Sequence, residues 1–143
     1  ADMQMFAGRP EAARESYASL VKANPTDPAL MSAYARTLQV LKDPAALATA
    51  ERAYKLAPTH TAIADDYAWA LVQSGSTEGG VRVLRGVRLR DPGDATVRWH
   101  LAAGLLKSGK KQEAREELRA ALAATPPPPR SVELDKLKAE LGL

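Results

Sequence analysis

A chain of 143 residues, 45% apolar and 26% charged, is long enough for one folded domain and too hydrophobic to stay disordered. It contains no cysteine, which excludes disulfides and thiolate metal sites, and no apolar run reaches the roughly 18 residues of a membrane span. A formal charge of +3 and a pI near 9.3 are milder than nucleic-acid-binding surfaces normally bring, so nucleic acid is not an expected partner.

From the N-terminus, residues 1–7 read as the second half of a helix, followed by a turn at Gly8. Met3, Met5 and Phe6 would sit at an open end of the fold, and the chain starts with Ala1 rather than Met. Further repeats are therefore expected upstream, because repeat arrays cover their ends with polar caps. A helix follows in which Pro10 suits the first turn, Ala13, Tyr17 and Leu20 form one stripe, and Asn24-Pro25 is the stop.

A second pair of helices begins at Pro28, with Leu30, Tyr34, Leu38 and Leu41 at helical spacing. After a shortened turn at Lys42-Asp43-Pro44, the partner helix 45–57 carries Ala46, Ala50, Ala53 and Leu56. The third pair is predicted over 61–74 and 77–90, joined at Gly75 and stopped by Asp91-Pro92. Ile63, Tyr67 and Leu71 face Val83, Leu84 and Val87 there. Gly79, Gly80 and Gly86 inside its second helix each cost up to about 1 kcal/mol relative to Ala, which predicts the least stable helix of the chain.

The fourth pair uses Val97, Leu101 and Leu105, then Ala114, Leu118, Ala121 and Leu122. Pro126 to Pro129 cannot donate helix hydrogen bonds and are expected to be extended. Ser131 is a suitable N-cap for a last helix with Leu134, Leu137 and Leu141 on one side and Glu133, Lys136 and Glu140 on the other. That amphipathic pattern is what a helix covering the end of the array needs.

Pro25, Pro58, Pro92 and Pro126 are spaced 33, 34 and 34 residues apart. Small residues keep the same period at Ala13, Ala46, Gly80 and Ala114, and again at Ala35, Ala68 and Ala102. Two helices per period of about 34 residues predict an all-α fold, a right-handed α-solenoid of helix–turn–helix repeats with a C-terminal capping helix. The expected repeats are a partial one at 1–27, then 28–60, 61–94 and 95–126, with a proline spacer at 127–130 and the cap at 131–143.

These residues resemble the tetratricopeptide repeat family. Tyr67-Ala68 with Leu71, and Leu101-Ala102 with Leu105, fit its first-helix pattern; Ala13 with Tyr17, and Ala114 with Leu118, fit the second. The family's early Trp is replaced by Met31, Ala64 and Arg98, and its Gly by Ala. The runs Asp65-Asp66-Tyr67-Ala68-Trp69 and Arg98-Trp99-His100-Leu101-Ala102 look like the last repeats of long bacterial arrays, some of them envelope lipoproteins associated with exopolysaccharide export. The resemblance implies a scaffold for a protein or peptide partner in a bacterial cytoplasm, periplasm or envelope. It also implies first helices lining the inner surface. Ser32, Arg36, Asp66, Thr96 and His100 stand at the inner positions, so the family's carboxylate clamp for acidic C-termini is not expected.

At about 100° per residue, Asp65, Trp69 and Val72 lie together on the side of their helix away from Ile63, Tyr67 and Leu71. One period later that side carries Trp99, Ala103 and Leu106; one period earlier, Ser32, Arg36 and Gln39. These residues are the candidate groove for a peptide or partner helix, since Trp and Arg anchor interfaces. Trp69 and Trp99 could equally fill junctions between repeats. Arg82, Arg85, Arg88 and Arg90 offer either a polyanion site or, as expected of charge runs on helices, a solvated outer face.

Self-assembly through the open N-terminal end would give a homo-oligomer. Pro126–Pro129 could be a polyproline ligand, but a stiff spacer is the expected role. His60, His100 and the adjacent Asp65-Asp66 form no catalytic constellation in the sequence, and no cofactor or metal site is expected.

Overall fold

Aspartate, serine and proline decide where these helices begin. In the computed structural model, which describes residues 9–143, eight α-helices and no strand are found among the described residues. They are α1 (Pro10–Ala23), α2 (Pro28–Val40), α3 (Ala46–Leu56), α4 (Thr61–Gln73), α5 (Thr77–Arg90), α6 (Ala95–Lys107), α7 (Lys111–Ala123) and α8 (Val132–Leu141). The all-α fold, a solenoid of helical repeats, is thus the one expected. The readings on Met3, Met5, Phe6 and Gly8 lie outside the described residues.

Asp27 and Asp94 each accept a hydrogen bond from the backbone N–H three residues on, at 3.1 Å, and so cap α2 and α6. His60 takes the same place before α4, its Nδ1 accepting from the Ile63 N–H at 3.4 Å. Ser131 caps α8 as expected, at 3.1 Å from the Leu134 nitrogen. Pro10 and Pro28 occupy first turns, where a missing N–H costs nothing.

Three helix ends close by one device. The N–H groups of Asp43, Lys110 and Leu143 reach back to the carbonyls of Leu38, Leu105 and Lys138, while Lys42, Gly109 and Gly142 bond to Gln39, Leu106 and Ala139. This paired 6→1 and 5→2 pattern places its pivot residue in the left-handed region. Gly109 and Gly142 supply it at φ of 80° and 71°, whereas the shortened turn forces Lys42 to φ 56°.

Two compact units divide the chain, one ending at Ala70 and one running from Leu71 to Leu143. In the first, α2 packs against α1 and α3. Its core is built from small groups: Ala13, Tyr17 and Ala33; Met31, Ala53 and Ile63; Ala35, Ala50 and Ala70. Leu56, expected on the α3 stripe, is 43% exposed. Ala46, Ala50 and Ala53 continue in register to Ala57, which packs on Met31 and Ile63, and Leu56 points one residue's rotation away.

In the second unit α6 packs against α5 and α7, and α7 against α8. Apolar nearly all round, α6 is the most deeply set helix, buried continuously from Trp99 to Leu105. A Cβ on Gly104 would stand 2.8 Å from Val81 Cγ2 and 3.4 Å from Val72 Cγ2, so this glycine is what lets the backbone come close. Leu134, Leu137 and Leu141 of α8 are buried while Glu133, Lys136 and Glu140 stay exposed, the pattern expected of a cap. Arg115 on α7 donates to the Leu141 carbonyl at the far end of that helix. Residues 126–129 are non-helical, with a bend at 124–126 and a cis Thr125–Pro126 peptide where extended chain was expected.

Candidate functional site

In the first unit the polar centre is on the first helices. Asp66 on α4 receives the Arg36 guanidinium at 2.7 Å and the Ser32 hydroxyl at 3.0 Å, both on the same Oδ2. Ser32 is buried and Arg36 exposed, so the carboxylate is gripped from below and partly shielded above. An exposed pair of this kind adds less than about 1 kcal/mol to stability. It does fix the direction of a guanidinium that keeps further N–H donors available.

Gln39 lies one turn along α2 from Arg36 and is exposed; Trp69 lies one turn along α4 from Asp66 and is half-buried. The sequence reading set Asp65 beside Arg36. Neighbouring helix residues diverge by about 100°, and here Asp65 turns inward to 5% exposure while Asp66 meets the arginine.

Elsewhere in this unit, Tyr67 stacks on Tyr54 at 4.9 Å and donates its hydroxyl to Glu51 at 3.3 Å. Glu51 also pairs with Lys55 at 3.1 Å. The Lys55 ammonium, by hydrogen bond and charge, with help from the Tyr67 hydroxyl, holds the Glu51 carboxyl below its ordinary pKa. Burial first, then the Glu51 carboxylate, pushes the Tyr67 phenol above its usual value.

In the second unit, Val72, Trp99 and Ala103 are interior and Leu106 is half-buried. Trp99 meets the His100 ring edge-on at 4.3 Å. The expectation of an open floor therefore needs correcting for Ser32, Asp65, Val72, Trp99 and Ala103, whose side chains are enclosed, and not for Arg36, Gln39, Trp69 and Leu106. It assumed one covered stripe per first helix. Yet α2 is covered by α1 and α3, and α6 by α5 and α7, so both flanks of each helix are enclosed.

The arginines of α5 divide. Arg85 pairs with Glu113 at 3.1 Å, and Arg88 with Glu117. Glu117 also takes Arg98 of α6 at 3.0 Å, and Arg98 Nε donates to the Pro92 carbonyl at 2.7 Å. A seam of charge thus ties α5, α6 and α7 together. Arg98 stands where the resemblance put an early Trp, with an ion pair in place of a ring. Arg82 and Arg90 remain exposed. Glu113 and Glu117 escaped the sequence reading, although a signal existed: opposite charges on successive second helices, slightly less than one period apart. Among the described residues no group of three or more His, Asp or Glu could hold a metal ion, and no helix is long and apolar enough to cross a membrane.

Residues 66–129 match the family described as tetratricopeptide repeat. No curated protein matches the chain. Solved structures with a similar fold include a thermophilic tetratricopeptide repeat protein from Thermus thermophilus, at 23% identity over 97% of this chain and 78% of the other, TM-score 0.78. MamA from Desulfovibrio magneticus RS-1 is 18% identical over 95% and 78%, TM-score 0.76. YrrB, described as a tetratricopeptide repeat protein with an unusual peptide-binding site, is 19% identical over 92% and 66%, TM-score 0.75.

Proposed function

We propose that this chain is a non-catalytic scaffold holding a protein or peptide partner on its first-helix surface, a reading supported by the match of residues 66–129 to the tetratricopeptide repeat family. The observation that carries this reading is the Arg36–Asp66 pair, an exposed guanidinium held at 2.7 Å by a carboxylate one helical turn from the half-buried Trp69. Arg36 presents further donors suited to backbone carbonyls of an extended peptide, and Trp69 offers the flat apolar contact that anchors one. That YrrB is described as having a peptide-binding site supports the same use of a related fold. The two tryptophans take different roles: Trp69 contacts the partner, and Trp99, buried at 8% exposure, packs the second unit.

Affinity capture from the native cell, using the full-length protein, tests the reading. Trp69→Ala and Arg36→Glu reduce the recovered partner at least tenfold, while helicity and melting hold. Trp99→Ala instead lowers stability by about 3 kcal/mol, the cost of emptying a packed aromatic site. Undiminished capture by both surface variants would refute the proposed surface.

A further inference from the structure

We propose that the second unit carries a separate binding site for an acidic peptide, in a cleft of about 350 Å³ bordered by α5, the end of α6 and the turn into α7. Its base is apolar, made by Val81 and Leu105, and Arg82, Arg85 and Lys110 stand around it. The Ser108 hydroxyl, which donates to the Gly104 carbonyl at 3.0 Å, keeps acceptor capacity at the edge. None of these residues belongs to the Arg36–Asp66 surface, so the inference stands or falls independently of that surface.

The chemistry selects the ligand. Glu113 already holds Arg85 at 3.1 Å, whereas Arg82 and Lys110 make no ion pair among the described residues. Two uncommitted cations over an apolar base suit a carboxylate side chain next to a branched apolar one, and a volume near the lower end of small-ligand pockets holds about that much. A phosphate polymer fits less well. Glu78 lines the same cleft and Glu113 neutralises Arg85, so a dense run of negative charge meets two carboxylates, while a single carboxylate needs only Arg82 and Lys110. The arginines of α5 thereby serve two ends: Arg85 and Arg88 hold helices together, and Arg82 faces a partner.

The test is fluorescence anisotropy of the full chain with a labelled peptide containing Glu-Leu-Glu, its Gln-Leu-Gln counterpart, and heparin. The acidic peptide binds at least tenfold more tightly than the amide one, and its affinity falls with added salt. Arg82→Glu combined with Lys110→Glu raises its Kd at least tenfold, and Arg36→Glu leaves it unchanged. Both reversed positions are exposed; Arg82→Gln with Lys110→Gln gives the same loss in smaller measure should the reversal disturb folding. Equal binding of the two peptides, an affinity indifferent to the cleft variants, or heparin capture without peptide capture each overturns the proposal. Heparin capture alone would point to polyanion binding instead.

Discussion

Gly86 and Gly104 show how one residue type can be a defect in one helix and a requirement in the next. A Cβ on Gly86 would meet nothing within 4 Å, whereas one on Gly104 would press on two valines. Gly86→Ala therefore raises stability by up to about 1 kcal/mol through helix propensity alone. Gly104→Ala lowers it by about 2 kcal/mol, because α5 or α6 must shift to admit the methyl group. Urea titrations of the two variants check the opposite signs. The cost of Gly86 could be read from the sequence; the need for Gly104 could not, because a close approach between helices is a property of the packed chain. Lys42 gives a third case. It sits at φ 56° in a turn whose counterparts use glycine, and Lys42→Gly stabilises the chain by about 1 kcal/mol. A melting temperature that falls instead would mean that the Lys42 side chain contributes more than its backbone costs.

Helices were predicted from stripes, and the stripes hold: Ala13 with Tyr17, Val97 with Leu101 and Leu105, and Ala114 with Leu118 are all buried. Periodicity reports the most apolar line on a helix but not how many neighbours flank it, which is why Trp99 and Ala103 were expected on an open face. It is silent too on polar partners from other helices. Glu117, only 12% exposed, accepts from Arg88 on α5 and Arg98 on α6. Removing its charge strands two guanidiniums that are themselves three-quarters enclosed. Glu117→Gln is expected to cost about 2 kcal/mol, less than for a fully buried pair because water still reaches all three groups. A double-mutant cycle with Arg88→Gln recovers the coupling, and a cycle that sums to zero would show the seam to be energetically idle.

The recurrence of proline and small residues carried the architecture, because a repeat must restate its packing rules every time it is copied. It carried little of the chemistry, since the exposed positions that choose a partner are those the repeat leaves free. One environmental response follows from the Tyr67 cluster. The folded chain holds the Tyr67 proton more tightly than the unfolded chain does, so that stability is complete below the ordinary phenol range and drains away as pH climbs through the folded-state value. Glu51 has the opposite sign, its contribution disappearing as acid protonates it below the ordinary carboxylate range, and a side chain 44% exposed keeps that effect slight. Tyr67→Phe flattens the alkaline limb of a melting-temperature profile and removes a phenolate absorbance step from above the ordinary phenol range; an unchanged profile would count against the cluster. The helices within each unit also pack chiefly against those adjacent in sequence, as α2 does on α1 and α3 and α6 on α5 and α7. A lesion in one rod is handed to the next and fades at each transfer, so amide exchange quickens by steps away from the wound instead of everywhere at once.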